Sequence, residues 1–513
     1  MKHVGFVVIF EAWILTSSLF ERMAQAQAGD SISPPTATSM EERWKGIEER
    51  LRSIERRLDR LDEHSSANAD EARSPGNVLQ NVSLEGRLKQ LDQKLQIAEQ
   101  RNGSEAASAT PQPATTPVLG AGPEGFFLRS ADNAFRLNLH GQLQADGRFS
   151  HDDSGHDDSG RAGADTFSLG SIRPILEGTF FRDFSFRIMP DFGRGTTFLQ
   201  EAYFDATIQP WIKFRAGKYK GPVGLERLAG DSELLFFERA FPTALVPNRD
   251  VGVELYGEPW GGVLTFAAGL FDGVPDGSSA DTDGDDKKEF EGRLFTHPFR
   301  KSTREALQGL GIGVSGTLGK KAGSPSSPSV ASYRTSAQQT FFHYRADGTL
   351  AGTVIADGAH SRISPQAYYY GGPFGLLGEY VVSLQEVERG TFRKTLGNRA
   401  WQVAASYVLT GEKASYRSVT PAHSFDRGQG HWGAFEIAAR YSELRVDPAA
   451  FPVFANPQDS SQKARAWTVG FNWYLNKNAK FVFDYEQTHF TAIPGGRNRQ
   501  TEKSFLERFQ IAF

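Results

Sequence analysis

The stretch Ala134–Phe149, A-F-R-L-N-L-H-G-Q-L-Q-A-D-G-R-F, decides the fold class. Phe135, Leu137, Leu139, Gly141, Leu143 and Ala145 alternate with Arg136, Asn138, His140, Gln142, Gln144 and Asp146. A period of two places the first set on one face of a β-strand and the second set on the other. A soluble sandwich also has one polar and one apolar face. Here the polar face carries charge along its whole length, as the wall of a water-filled lumen does. The pattern recurs downstream. Trp401, Val403, Ala405, Tyr407 and Leu409 share a face, and so do Trp467, Val469, Phe471, Trp473 and Leu475. Aromatic residues at the ends of such faces suit the girdles at the two bilayer interfaces.

Composition narrows the class. The 513 residues contain no cysteine, which excludes a disulfide scaffold, a thiolate zinc site and cysteine catalysis. There are 39 Phe and 12% aromatic residues, yet the mean hydropathy is -0.43. A Phe-rich chain that is polar on average fits alternating faces better than a solid soluble core or a bundle of membrane helices. Past the N-terminal run no segment is apolar for long enough to be a membrane helix, so a membrane-spanning chain of this kind must be a closed barrel. The span 125–513 divided over sixteen antiparallel strands leaves roughly 24 residues per strand and connection, a porin-like ratio. A net charge of -4 leaves no nucleic-acid footprint, so any charge selectivity is local.

The N-terminus reads as an export signal over 1–28. Lys2 and His3 precede the apolar run Val4 to Leu19, and Ala24, Ala26 and Ala28 supply cleavage sites. A membrane anchor is the alternative, but the run is shorter than the ~20 residues needed to span and contains Glu11. Its removal takes away Lys2 and Arg22 against Glu11 and Glu21, two charges of each sign, and leaves the net at -4. Residues 29–100 are expected to be an α-helical coiled coil on the periplasmic side. Trp44, Ile47, Leu51, Ile54, Leu58 and Leu61 follow the 3-4 heptad spacing, and Leu84, Leu88, Leu91 and Leu95 resume it. Residues 101–124, rich in Ala, Thr and Pro, read as a linker. At the other end Phe505, Phe509, Ile511 and Phe513 share a face of a last strand, a pattern similar to the insertion signal of outer-membrane barrels.

Two loops are rich in carboxylates: the doubled H-D-D-S-G of His151 to Gly160, and Asp272 to Asp286 with D-T-D-G-D-D. Neither has EF-hand spacing, and both read as solvated loops with no metal. A barrel enzyme would need a nucleophile with a positioned base. His140 lies on the polar face, but no Ser-His-acid spacing and no G-x-S-x-G element accompanies it. The chain therefore reads as a channel, not an enzyme, and a diffusion pore needs no cofactor.

Longer stretches sharpen this. F-R-A-G-K-Y-K-G-P-V-G-L-E-R-L at Phe214–Leu228 and S-R-I-S-P-Q-A-Y-Y-Y-G-G-P-F-G-L-L-G-E-Y at Ser361–Tyr380 are distinctive. So are Y-V-L-T-G-E at Tyr407–Glu412, G-A-F-E-I-A-A-R-Y-S at Gly433–Ser442 and F-N-W-Y-L-N at Phe471–Asn476. With them the span 125–513 resembles the phosphate-selective porin O and P family. The resemblance implies a sixteen-stranded barrel, a homotrimer in outer-membrane lipid, and a third loop folded inward to narrow the pore. Some members carry a periplasmic coiled coil.

The long connection from Gly221 to Asp250 is then the inward loop. A phosphate filter needs donors that replace water, a role suited to the Arg fork and the Lys point charge. The resemblance places Lys218, Lys220 and Arg227 at the constriction, with Arg215, Arg239 and Arg249 beside them. From the alternation, Arg136, Arg173, Arg187, Arg293, Arg440 and Arg508 form a candidate basic track in the lumen. Asp146, Glu177, Glu254, Glu291, Glu379, Glu436 and Asp484 share that inward face and weigh against strict phosphate selectivity. The expected function is passive diffusion of small anions, phosphate or polyphosphate foremost. The alternative is a general, weakly selective porin whose coiled coil is a structural tether to the cell wall.

Overall fold

The computed structural model describes residues 117–122, 125–152 and 165–513. The expected signal peptide, the coiled coil, most of the linker and most of the doubled H-D-D-S-G lie outside the described residues. The last part of the expected linker forms a strand, β1 (Val118–Gly122), which makes a hairpin with β2 (Gly125–Arg129). This hairpin lies against the start of β3, pairing Phe126 with Leu139.

Sixteen strands then close on themselves. The first nine are β3 (Phe135–Asp152), β4 (Thr166–Phe180), β5 (Phe184–Asp191), β6 (Phe198–Gln209), β7 (Ile212–Tyr219), β8 (Asp250–Gly257), β9 (Leu264–Phe271), β10 (Glu289–Thr296) and β11 (Leu310–Ala322). A two-stranded hairpin, β12 (Tyr333–Arg334) and β13 (Thr340–Phe342), stands apart from the barrel sheet. The barrel continues with β14 (Ile355–Gly371), β15 (Phe374–Arg389), β16 (Phe392–Val408), β17 (Ala434–Arg445), β18 (Lys463–Tyr474), β19 (Ala479–Thr491) and β20 (Glu502–Ala512). Each barrel strand is antiparallel to the next, and β20 returns to β3 from Ala512↔Gln142 to Glu502↔Asp152. Gly141 and the terminal Phe513 exchange backbone bonds of 2.9 and 3.0 Å across the seam. A Cβ at 141 would lie 2.7 Å from the Phe513 ring, so a side chain there would push that ring aside.

The alternation of β3 is an inversion of a soluble protein. Gln144 and Asp146 are 3% and 2% exposed, whereas Leu137 and Leu143 are 39% and 41% exposed. Apolar side chains face outward and polar ones inward, as lipid outside and water inside require. At one rim the rings of Phe435, Trp473, Phe481 and Phe509 follow one another at 5.9, 5.7 and 4.7 Å, part of an aromatic belt. Connections at this end are mostly short, as at 210–211, 372–373 and 475–478. It is called the turn side below, and the opposite end the loop side.

The third loop, 220–249, is stapled to the inner wall by polar contacts. Glu379 of β15 accepts the Leu225 and Glu226 backbone N–H groups at 2.9 and 3.0 Å, and Asp484 of β19 accepts that of Phe237 at 2.7 Å. Lys480, Asn472 and Gln510 donate to the carbonyls of Leu234, Leu235 and Ser232 at 2.7, 2.9 and 2.9 Å. A loop inside a barrel has no sheet to pair with, so its backbone polar groups must find side chains or water.

The loop-side half of the lumen is filled asymmetrically. Phe241 and Leu245 of the third loop pack with Tyr333, Phe341 and Phe342 of the β12–β13 hairpin and with Phe451 and Phe454 from 446–462. Wall residues Val381, Leu396, Ala400 and Leu444 complete this cluster. Replacing Phe342 with Ala is expected to weaken the filling by about 3–5 kcal/mol. Limited proteolysis within 323–354 should then quicken while the far-ultraviolet circular dichroism of the barrel stays unchanged. An unchanged cleavage rate would mean that the hairpin is not held by this packing.

Candidate functional site

Two vestibules meet beneath the third loop. The loop-side cavity holds about 540 Å³ and the turn-side cavity about 1190 Å³. Both are bounded by Arg173, Asp231 and Arg249, which therefore mark the neck between them. Arg173 comes from β4, while Asp231 and Arg249 come from the two limbs of the third loop. Asp231 lies among the staples already described, and the limb of Arg249 is held by the packing of Phe241 and Leu245 and by a 2.9 Å bond from the Asn248 N–H to the Ser278 carbonyl, so the neck is built on pre-positioned backbone.

Around the neck five cations face three carboxylates. Arg173 binds Asp191 at 2.7 Å and Asp231. Arg239 reaches Asp231 at 2.5 Å and the Ala229 carbonyl at 2.8 Å. Arg249 gives two bonds of 3.2 Å to Glu201 and one of 3.1 Å to Asn248. Lys220 and Arg227 differ from these. Lys220 donates to the Ala229 carbonyl at 2.7 Å, and Arg227 donates to Asn248 at 3.1 Å and to the Thr243 carbonyl. Neither makes an ion pair with a carboxylate among the described residues. The Nε of Arg227 is buried with no hydrogen-bond acceptor. The neck is thus net positive, and the excess resides on these two side chains.

Titration follows from the same crowding. Burial alone would raise the Asp231 carboxyl, but the charges of Arg239, Arg173 and Lys220 hold it well below the usual carboxylate range. Burial and the neighbouring Arg239 and Arg249 charges push the Lys220 ammonium well below the usual lysine range.

Of the six residues expected at the constriction, the structure brings Lys220, Arg227, Arg239 and Arg249 together at the neck. It puts Lys218 in an ion pair with Asp281 and a 2.6 Å bond to the Leu199 carbonyl, tying the 272–288 loop to the wall. Arg215 sits lower, paired with Asp205 at 2.7 Å between the rings of Tyr203 and Tyr256. Of the expected basic track, Arg173 is at the neck, and Arg187 and Arg293 line the turn-side cavity. Arg187 is paired there with Glu177 and Glu201. Arg440 binds Glu226, Glu486 and the Glu238 carbonyl, and Arg508 binds Asp146 and the Phe237 carbonyl; both anchor the third loop. Arg136 is exposed beside Asn138 and Phe127, outside both vestibules.

The neck also uses residues that sequence reasoning did not single out: Asp231, Glu201, Asp191 and Asn248. Alternation marks Glu201 as inward, but no periodicity reports on loop residues such as Asp231 and Asn248.

Comparisons with known proteins identify a family and several relatives. The family described as phosphate-selective porin O and P matches residues 137–513. Porin O of Pseudomonas aeruginosa is 24% identical over 428 residues, covering 76% of this chain and 91% of that protein. Among solved structures, the outer membrane channel DcaP of Acinetobacter baumannii is 12% identical, with a TM-score of 0.48 over 76% of this chain and 99% of that one. An anion-selective porin from Comamonas acidovorans is 13% identical, with a TM-score of 0.45 over 74% of this chain and all of that one. The family match runs from within β3 to the last residue, well over half of the sequence, and takes in every strand of the barrel. On that extent, this outer-membrane barrel belongs to the phosphate-selective porin O and P family.

Proposed function

We propose that the barrel is a passive pore for small anions, phosphate or polyphosphate foremost, with its filter at the neck beneath the third loop. The observation that carries this reading is that Lys220 and Arg227 stand at the neck without carboxylate partners. A diffusing oxyanion needs donors that replace part of its hydration yet release it again. Two uncompensated cations among paired ones provide attraction without a deep trap. The family's description as phosphate-selective supports the choice of ligand. In this reading the short turns face the periplasm and the long loops face outward.

A homotrimer belongs to the same proposal, on a geometric argument. Strands β5, β7, β8, β9 and β10 are eight residues long. At ~3.4 Å per residue and a tilt of ~40° such strands rise roughly 21 Å, short of the ~25 Å apolar band that lipid requires. The outward row Ala206, Phe214, Leu255, Ala268 and Gly292 runs in register across this short wall, with three small residues on it. A second and a third copy cover such a surface better than lipid does. The neck lies inside each barrel, so the filter is complete in one subunit.

Single-channel recordings test the filter. The native pore should show an anion-selective reversal potential in a chloride gradient, and added phosphate should block the chloride current. Replacing Lys220 and Arg227 together by Gln should lower the anion preference by about fivefold per charge, from the ~1 kcal/mol of a unit charge at 4 Å in water. Cation preference without phosphate block in the native pore would make this a general porin.

A pH series gives an independent check. Because the ammonium of Lys220 is depressed, it loses its charge at a pH below the ~10.4 of an ordinary lysine. Anion preference should therefore fall as pH rises, below the range in which an ordinary lysine titrates. The Lys220→Gln pore should show a smaller fall, the remainder belonging to Arg227, whose guanidinium is pushed down to about 9 by burial and the Arg239 and Arg249 charges. Asp231 keeps its charge into acid because its carboxyl is depressed, so it contributes no change between pH 7 and 5. A native reversal potential that stays flat up to pH 10 would remove Lys220 from the filter.

A further inference from the structure

The turn-side vestibule contains a second cluster that the oxyanion filter does not use. Arg293 of β10 points inward with its guanidinium 4.4 Å above the ring of Phe295. Its hydrogen bonds, at 3.4 and 3.2 Å, both go to the single amide oxygen of Gln366. It pairs with no carboxylate among the described residues. The Phe295 ring lies 5.1 Å from Tyr368, and Tyr368 is stacked on Tyr416, also at 5.1 Å with 18° between the planes. The result is a continuous run of rings beside an Arg that lacks a counter-ion, in an open cavity of about 1190 Å³.

The origin of Tyr416 matters. It comes from 409–433, the longest connection on the turn side, where several others are two to four residues. This connection folds up into the barrel mouth. Ala414 and Val419 are buried against Val408, Ala434 and Tyr474, and the Tyr416 hydroxyl donates to the Leu225 carbonyl at 2.6 Å. The neighbouring Arg417 is exposed and lines the same cavity. The chain has thus carried an aromatic ring and a second guanidinium from the periplasmic rim to a place beside Arg293.

The geometry points to a second solute site here, one for organic anions that join a planar apolar body to a carboxylate, as aromatic acids do. The flat body would lie on the Tyr368–Tyr416 rings, which the buried Phe295 backs from behind, where offset stacking and burial favour it. The carboxylate would take the free edge of Arg293, whose fork matches its two oxygens. Inorganic phosphate has no apolar face and gains nothing from the rings. The two sites therefore discriminate by different chemistry along one path. This inference goes beyond the oxyanion filter and requires only that the pore conducts.

The test uses the full-length protein in planar bilayers, with chloride current and benzoate, acetate or inorganic phosphate added to the turn side. Benzoate should block at a concentration at least tenfold below acetate. Arg293→Gln and Tyr416→Leu should each raise the blocking concentration of benzoate fivefold or more and leave phosphate block unchanged. Tyr416→Phe keeps the ring and loses only the bond to Leu225, so benzoate block should persist. The idea is overturned if benzoate blocks no better than acetate, or if neither Arg293→Gln nor Tyr416→Leu weakens its block. It is equally overturned if Tyr416→Phe and Tyr416→Leu lose benzoate block alike, because an anchor for the loop would then explain both. Loss of phosphate block in Lys220→Gln with benzoate block retained separates the two sites, and absence of phosphate block in the native pore bears on the filter alone.

Discussion

Within a bilayer, an unpaired backbone N–H or C=O has no water to turn to, and everything else in this molecule follows from that. A sheet in this setting cannot have an edge. The ladder between β20 and β3 removes the last edge, and the terminal Phe513 takes part by exchanging both backbone bonds with Gly141. Closure by sixteen strands makes a lumen too wide for its wall side chains to fill. The protein answers by folding loops inward, and those loops meet the same backbone constraint. That is why the inner wall is so rich in buried carboxylates, amides and guanidinium groups.

The carboxylates are the less obvious part of this solution. A lumen with as many acids as bases should be indifferent to the sign of a solute. Here most of the acids are engaged. Glu379 and Asp484 accept backbone N–H groups of the third loop, Asp146 is held by Arg508, and Glu436 takes the Tyr474 hydroxyl at 2.7 Å. A carboxylate bound in this way projects little field into the path. The Glu291 carboxylate is buried without a partner, and the cations left without a carboxylate are Lys220 and Arg227 at the neck and Arg293 in the turn-side vestibule. In the proposed filter, selectivity is a matter of subtraction, of which charges the architecture leaves over.

The sequence was legible wherever a period existed. Alternation in Ala134–Phe149 and in the strands around Trp401 and Trp467 gave the barrel, its inward face and its girdles, because a strand has only two faces. It was less legible in the loops. Arg440 and Arg508 satisfy the alternation as lumen residues, yet their partners Glu226, Glu238 and Phe237 belong to a loop whose path no periodicity encodes. Lys218 and Lys220 stand two residues apart on one face, but Lys218 is taken by Asp281, sixty-three positions on, and Lys220 is not. The filling by Phe341, Phe342 and Phe451 was invisible for the same reason. Apolar residues in loops carry no sign of whether they face water, lipid or each other.

That filling has an electrical consequence. If the lumen were a uniform water-filled cylinder, a unit charge would act on an ion 4 Å away with only ~1 kcal/mol, and less beyond a Debye length of ~8 Å. Phe241, Tyr333, Phe341, Phe342 and Phe454 replace much of that water with apolar protein on one side of the path. Low-dielectric walls confine field lines to the remaining aqueous channel and strengthen the action of charges that border it. Arg227 lies on that border, and Lys220 faces the turn-side cavity on the other side of the neck. The cluster borders the loop-side cavity through Phe241, Ala331 and Ala466, and in the proposed filter it sets how far the unpaired cations are felt, so that the packing of the loops and the preference of the neck are one design.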